Sequence, residues 1–513
     1  MDHMSALPIE IITIIISFLP IVDAIRLCFL RREWYFSNLW IHSTIFELKE
    51  KSFRRPETIR RYRGRRRRSI AVETRQNGRI KFLQVFNRVL FSLVSPVISS
   101  FSFHHLTYTT SHRNEIDRWI EFALSKGVRD LVLNFSVDFP INQSEPWIVI
   151  IKYHLPDVLY QNASSIRTLS INSCRVDARR ISSFKNIRSL TLTRIKISVR
   201  NIGHMVPQCP LLENLCLVEC FQEWNLKINS MSLKRLIVRH SKGFTLMEIR
   251  LPRLEYFEYA GDLIRFDLDL LYALEEAVMD FTMKYISAFA YWYEDAREYF
   301  SGLAAVRQLK ICTNAFKESF KGVFQIKHFG LIWQTILTAI DMLADIVVAE
   351  IGDNNDGRYA IWMIFPQNYL RDEPFLRLRN AQELTLTTTM ERYEVLGILS
   401  IITSATHLRT LTFIAGHRRP LKELMCDYYS EELDEFLHPD ESSVSNRLLE
   451  VIVEGFMAKQ YEMEILKFLV GSATMLRTIT LLPRMGYSER RIAAAAADLL
   501  SVRAASDHLQ INW

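Results

Sequence analysis

The sequence predicts an α/β chain: a helical N-terminal unit followed by a repeat solenoid, a parallel-strand horseshoe with helices on its outer face. Two observations predict it. The first is a dense run of apolar residues at helical spacing within the first forty positions. The second is a series of short L-x-L or L-x-I cores, each one strand long, at Leu169-x-Ile171, Leu190-x-Leu192, Leu215-x-Leu217, Leu236-x-Val238 and Phe257-x-Tyr259. Their first positions lie 21, 25, 21 and 21 residues apart, which leaves room for one strand and one return segment per repeat. One such unit cannot bury its own apolar face, whereas stacked units can.

The helices come first. In Glu10–Leu19 the polar residues Glu10, Thr13 and Ser17 share one narrow stripe, and Ile11, Ile12, Ile14, Ile15, Ile16, Phe18 and Leu19 fill the rest. A helix there must be covered on most sides. A second helix fits Asp23–Trp34, with Asp23 in its first turn and Leu27, Leu30 and Trp34 at i, i+3 and i+7. Roughly forty residues cannot cover such a helix alone, so the surplus apolar face must meet the next domain or another protein. Ile9–Leu19 carries Glu10, is closed by Pro8 and Pro20, and is too short to span a bilayer. The other apolar stretch, Leu331–Ile351, holds Asp341 and Asp345. No membrane association is expected, and the protein reads as intracellular.

A basic insert follows. Lys51–Lys81 holds thirteen Lys/Arg against Glu57 and Glu73, a local +11 that leaves about −4 for the rest of a chain of net charge +7. Arg60–Arg68, with Arg65, Arg66, Arg67 and Arg68 in a row, reads either as a solvated linker kept extended by its like charges or as a nuclear-import or phosphate-binding run. With Tyr62 as its one aromatic residue the run offers little to read bases with, and nucleic acid is not expected as a partner.

Over the whole chain, 49% hydrophobic and 24% charged residues suit a protein that buries a large core. The repeat series begins earlier, at Leu131-x-Leu133, and continues at Leu309-x-Ile311, Leu384-x-Leu386, Leu411-x-Phe413, Val451-x-Val453 and Ile479-x-Leu481. Helical stretches such as Val395–Ser404 and Glu462–Gly471 lie between some of them. Seven cysteines without regular spacing read as buried free thiols in a reducing compartment.

No catalytic signature occurs: no H-E-x-x-H, nucleophile elbow, Walker A or G-x-G-x-x-G. Cys209, Cys216 and Cys220 lack C-x-x-C pairs, so zinc is not expected. Asp353–Gly357 fails the calcium-loop ligand series and reads as a hairpin turn at Asp356-Gly357, between Ile346–Ile351 and Tyr359–Phe365. Neither a cofactor nor a catalytic residue is expected.

Leu7-Pro8-x-Glu10-Ile11, Ile15-x-Ser17-Phe18-Leu19-Pro20, Asp23-Ala24-x-Arg26, Leu30 and Trp34 resemble an F-box. The chain departs from that pattern at Arg31-Arg32-Glu33, where Ser-Lys-Arg is usual, and at Trp40, which falls about two residues late. Arg118-Trp119-Ile120, Gly127-Val128-x-x-Leu131, Cys209-Pro210-Leu211-Leu212-Glu213 and Leu251-Pro252-x-Leu254-Glu255 resemble plant-type F-box/leucine-rich-repeat proteins. Leu449-Glu450-Val451, Gly455-Phe456, Glu462-x-Glu464-x-Leu466-x-x-Leu469 and Arg503-Ala504-x-Ser506 resemble the FBD module that closes many such chains.

The organisation this implies is an F-box over 4–44, a basic linker over 45–81, a leucine-rich-repeat solenoid over 82–439 and an FBD-like module over 440–513. The resemblance implies a non-catalytic substrate receptor of an SCF-type ubiquitin ligase, nuclear or cytoplasmic or both. It would dock the Skp adaptor, and through it the cullin scaffold, by Leu7, Pro8, Ile11, Ile15, Leu19, Leu27 and Leu30. An unidentified substrate protein would meet the repeats. The alternative is a non-catalytic repeat scaffold that holds an acidic partner or nucleic acid through the Arg run, without ligase assembly.

Strand alternation turns each Leu/Ile pair inward and exposes the residues between. The candidate substrate surface is therefore Thr168, Ser170 and Asn172, then Thr191 and Thr193, then Arg235 and Arg239, then Tyr256 and Glu258. Both arginines are expected to meet an acidic or phosphorylated segment.

Overall fold

The computed structural model describes residues 7–49, 80–104, 110–135, 153–195, 199–220, 225–241 and 446–513, most of 246–282, and separate stretches within 303–415. It divides into two compact units, Met1–Leu233 with Ser241–Gly243, and Lys234–His240 with Phe244–Trp513.

The first unit opens with helices α1 (Ile9–Ser17), α2 (Ile21–Cys28) and α3 (Arg32–Phe36). Pro8 and Pro20 occupy the N-caps of α1 and α2, where the ring's fixed φ sets an extended entry. The polar stripe of α1 is satisfied within the helix: Thr13 Oγ1 donates to Ile9 O at 2.8 Å and Ser17 Oγ to Ile14 O at 2.7 Å. The single helix expected over Asp23–Trp34 is two. Phe29 and Leu30 close α2, and Arg31 is extended (φ −138°, ψ 138°) before α3 begins.

Six strands follow that pair side by side: β1 (Ile45–Lys49), β2 (Ser100–His104), β3 (Asp130–Asn134), β4 (Thr168–Asn172), β5 (Ser189–Thr193) and β6 (Asn214–Val218), counted among the described residues. They pair in that order, all parallel. Leu131, Leu169, Leu190 and Leu215 stand in one register column, and Leu133, Ile171, Leu192 and Leu217 in the next. All eight are buried. A short strand β7 (Asn225–Asn229) follows.

A third buried position completes the repeat. Three residues before each core lies another buried apolar side chain: Ile98, Val128, Ile166, Ile187 and Leu212 in this unit. The working pattern is therefore L-x-x-L-x-L, the leucine-rich-repeat form. The stacking is also periodic in its hydrogen bonds. Arg167 and Thr168 N–H both donate to Arg129 O, Arg188 and Ser189 to Arg167 O, and Glu213 and Asn214 to Arg188 O.

The assignment of residues 45–81 to a linker needs correction. Ile45–Lys49 is the first strand of the sheet, because Phe46 and Leu48 supply a buried F-x-L core. Residues 80–91 are helical. The Arg60–Arg68 run lies outside the described residues.

Helix α4 (Arg113–Ser125) shows how a return leg ends. Gly127, at φ +67°, donates to Leu124 O at 3.0 Å, and Val128 N–H donates to Ala123 O at 3.2 Å, a Schellman closure. A Cβ at Gly127 would meet nothing within 4 Å. Gly127→Ala should therefore cost only the left-handed backbone penalty, about 1 kcal/mol by chemical denaturation. A loss under about 0.3 kcal/mol would argue against this cap. The outer face continues with α5 (Asp157–Gln161) and α6 (Val199–Met205).

The second unit carries β8 (Arg235–Arg239), β9 (Leu246–Arg250), β10 (Tyr256–Asp262), β11 (Arg265–Asp269), β12 (Glu276–Thr282), β13 (Gln308–Cys312), β14 (Val347–Ile351), β15 (Ala360–Ile364), β16 (Glu383–Thr388), β17 (Thr410–Ala415), β18 (Glu450–Phe456), β19 (Thr478–Pro483) and β20 (Gln510–Asn512). Nine of them form one parallel run in the order β8-β10-β12-β13-β16-β17-β18-β19-β20. Here two return legs are strands, β9 and β11, which pair with each other. Their sequences, Leu-Met-Glu-Ile-Arg and Arg-Phe-Asp-Leu-Asp, alternate with period two, which suits a strand and not a helix.

Antiparallel β14 and β15 make the expected hairpin, whose turn at Asp356-Gly357 lies outside the described residues. Helices α7 (Gln460–Ser472) and α8 (Glu489–Ser501) flank the last strands, so residues 450–512 continue the same sheet. Buried Glu462 fixes the start of α7 by accepting from Met457 and Lys459 N–H at 3.0 Å each, and burial pushes its carboxyl up.

Candidate functional site

The helical unit sorts its apolar residues into two sets. Ile12, Ile16, Ala24, Cys28, Trp34 and Leu39 form a buried cluster, with Leu19, Leu27 and Trp40 packed against it. Ile9, Leu7, Ile11, Ile14, Phe18, Phe29, Leu30, Tyr35 and Phe36 remain exposed, Leu30 to 72%. Of the seven residues expected to dock a partner, Leu7, Pro8, Ile11 and Leu30 are therefore on the surface and Ile15 is half-buried. Leu19 and Leu27 are partly buried and brace the unit from within. Sequence reasoning missed Phe29 and Phe36, whose exposure follows from the break between α2 and α3. Tyr35 bridges them, with ring centroids 5.3 Å from Phe29 and 5.6 Å from Phe36.

This unit is joined tightly to the sheet. Thr44 donates to Ser17 O twice, through N–H at 2.9 Å and Oγ1 at 2.8 Å, and Ser43 Oγ donates to Leu19 O at 2.8 Å. Ser99 N–H then donates to Thr44 O at 2.8 Å, which ties the helices through Thr44 to the edge of β2.

On the repeats, the candidate surface falls into two groups, one in each unit. In the first unit Thr168, Ser170, Asn172, Thr191 and Thr193 are half-buried, between the buried core residues of β4 and β5. Ser170 stands beside Thr191 and Asn172 beside Thr193. This is a neutral hydroxyl and amide surface.

The second group is charged. Arg239 donates to Glu258 through both Nε and Nη2, the latter at 2.8 Å. Tyr256 Oη donates to the same carboxylate at 2.8 Å. The Arg235 guanidinium lies 3.9 Å from the Tyr256 ring centroid, a cation–π stack. Burial acts to raise the Glu258 carboxyl, but the bonds from Arg239 and Tyr256 and the two arginine charges outweigh it and hold it below the usual carboxylate range. The Tyr256 phenol is pushed up to about 12, first by burial and then by Glu258. Lys310 on β13 bonds Glu276 on β12 at 2.8 Å, a pair that the sequence reading did not single out.

A cleft of about 960 Å³ lies elsewhere in the first unit, between the first turn of α4 and the segments around Pro156 and Asp177. Its charged groups are largely occupied with one another. Arg180 pairs with Asp157, Arg113 lies 3.6 Å from Asp117, and Tyr153 Oη donates to Asp117 at 2.6 Å. It presents no nucleophile beside a base. Cys28, Cys174, Cys209 and Cys220 are buried, and burial pushes these thiols up, the reverse of a reactive cysteine. Among the described residues no group of three or more His, Cys, Asp or Glu side chains could hold a metal ion, and no helix is long and apolar enough to cross a membrane.

Residues 98–322 match the family model described as At1g61320/AtMIF1, LRR domain. Similarity to proteins of Arabidopsis thaliana runs much further. One named as an F-box protein, At3g29830, is 24% identical over 500 residues, covering 96% of this chain and 91% of the relative. Two named as F-box/LRR-repeat proteins, At5g54820 and At1g56400, are 22% and 23% identical, covering 99% and 92% of this chain. They are themselves covered over 97% and 86% of their lengths.

Proposed function

We propose that this chain, similar along nearly its whole length to plant F-box/LRR-repeat proteins, is a non-catalytic substrate receptor of an SCF-type ubiquitin ligase. The helical unit docks the Skp adaptor, which carries the cullin scaffold, and the repeats hold a target protein. The observation that carries this reading is the exposed apolar face of α1–α3, set on a unit whose own core is already complete. So many exposed apolar side chains on one small unit point to a protein contact. The alternative, a scaffold acting through the Arg run alone, leaves that face without a use. The FBD-like C-terminal module, and residence in the nucleus, the cytoplasm or both, belong to the same proposal.

The chemistry of such a receptor is geometric. It raises the effective concentration of a target lysine near an enzyme carried elsewhere in the assembly. A rigid join between the helices and the first repeats serves that purpose better than a flexible one. Here β1 passes directly from the helices into the sheet, and the insert departs after β1. Co-expression with the adaptor and affinity purification test the reading directly. Failure of the folded chain to retain the adaptor would overturn it.

The rigid join has its own test. With Arg60–Arg68 replaced by a site-specific protease sequence, cleavage should leave the N-terminal fragment bound to the rest on gel filtration. The β1–β2 pairing and the stacked rings of Phe46 and Phe101, 5.5 Å apart, hold it there. Separation of the fragments would refute the rigid join.

A further inference from the structure

We infer that Arg235 alone is the contact residue for an oxyanion on the target segment, and that Tyr256, Glu258 and Arg239 are positioning residues that hold it ready. This rests on the reading that the repeats bind a target protein. It departs from the expectation that both arginines meet the target.

The two strands put the four residues together. Register sets Arg235 beside Tyr256 and Arg239 beside Ala260, two residues past Glu258. Glu258 is only 8% exposed and is committed three ways, to Arg239 Nε, Arg239 Nη2 and Tyr256 Oη. The fork to Glu258 takes the Nε/Nη2 edge of Arg239 and offsets its charge, which leaves Arg239 a weaker draw for an oxyanion than Arg235. The bond from Tyr256 Oη fixes the phenol, and the fixed ring seats the Arg235 guanidinium carbon 3.9 Å from its centroid.

Arg235 differs from its neighbours. Arg239 is paired with Glu258, and Lys310 with Glu276. Among the described residues Arg235 has no carboxylate at ion-pair distance, and it is exposed. The guanidinium carbon sits 3.9 Å from the ring centroid, so Tyr256 covers one side of the group. A planar guanidinium held in place presents two parallel donors, the arrangement that suits a carboxylate or a phosphate ester. Pre-ordering this long side chain also removes much of the entropy cost of fixing it on binding. The partner is therefore a protein segment bearing an aspartate, a glutamate or a phosphorylated hydroxyl.

The test uses the full-length chain bound to the adaptor. Arrays of degenerate peptides are fixed at the central position as Glu, phosphoserine, Gln or Lys. The wild-type chain should retain the Glu or phosphoserine set at least tenfold better than the Gln and Lys sets, and which of the two wins identifies the oxyanion. Arg235→Ala should abolish the preference. Arg235→Lys should restore little of it, because a point charge lacks the fork. Tyr256→Leu should weaken the preference while leaving retention of the Gln set unchanged, whereas a purely structural role would lower all sets together. No preference for an oxyanion in the wild type, or an equal preference in Arg235→Ala, overturns the inference. Loss of the adaptor from the wild-type preparation would instead overturn the receptor reading, so the two failures are distinguishable.

Discussion

A folded chain carrying Leu30→Asp is expected to bind the adaptor at least a hundredfold more weakly than the wild type. Leu30 closes α2 and is 72% exposed, so the change should alter stability by no more than about 0.5 kcal/mol. In the complex the leucine would be buried, a contribution of about 1.5–3 kcal/mol that the variant forfeits. It would also leave an unpaired carboxylate in an apolar interface, at a further cost of a few kcal/mol. With about 1.4 kcal/mol per factor of ten, the two effects exceed a hundredfold. The variant should keep its circular dichroism spectrum and its melting temperature. Undiminished binding by the folded variant would remove Leu30 from the docking face and with it the F-box reading of α2.

The structure also shows why the choice of residue matters. Leu19→Asp or Leu27→Asp would place a charge against Ile12, Ile16 and Trp34, in the core of the helical unit. Loss of binding by either variant would report unfolding as readily as lost contact. The sequence pattern groups all seven residues because each is apolar and in the motif. For the last two, Leu27 and Leu30, the break between α2 and α3 leaves the first packed and the second exposed, and that break coincides with the extended backbone at Arg31.

Much of the fold is legible in the sequence because a strand core needs only two inward residues and leucine repeats them. The leucine-based series finds β3, β4, β5, β6, β8 and β10 and then the later strands. It passes over β1 and β2, whose cores are Phe46-x-Leu48 and Phe101-x-Phe103, and β12, whose core is Ala277-x-Met279. The buried residue three positions earlier, Ile98 before Phe101 and Leu274 before Ala277, is the signal that would have found two of these. The site is less legible. Alternation correctly puts Arg235, Arg239, Tyr256 and Glu258 on one face, but pairing between strands β8 and β10 gives the two arginines different tasks. Register between strands 21 residues apart is a tertiary property, and local pattern does not contain it.

Trp119→Ala is expected to lower stability by about 3–5 kcal/mol, the largest effect of any single substitution considered for the first unit. Trp119 is fully buried on α4, where the sequence pattern Arg118-Trp119-Ile120 places it at the entry to the repeats. Its indole stacks on Phe86 at 4.0 Å and meets Phe103 edge-on at 6.2 Å. Phe86 in turn touches Phe46 and Phe101, so one indole supports the cores of both β1 and β2. Its Nε1–H donates to Asn87 Oδ1. Alanine would therefore open a cavity among aromatic rings and leave that amide oxygen without its donor, two separate costs. Trp119→Phe separates them: it keeps most of the volume and loses the hydrogen bond, and should cost about 1–3 kcal/mol. Urea denaturation followed by far-ultraviolet circular dichroism measures both. Because β1 joins the helices to the sheet, the alanine variant should also weaken adaptor retention near its unfolding midpoint and not below it. A loss under about 1 kcal/mol for Trp119→Ala would mean that the first repeats are not packed around this ring, and the rigid join between helices and sheet would lose its physical basis.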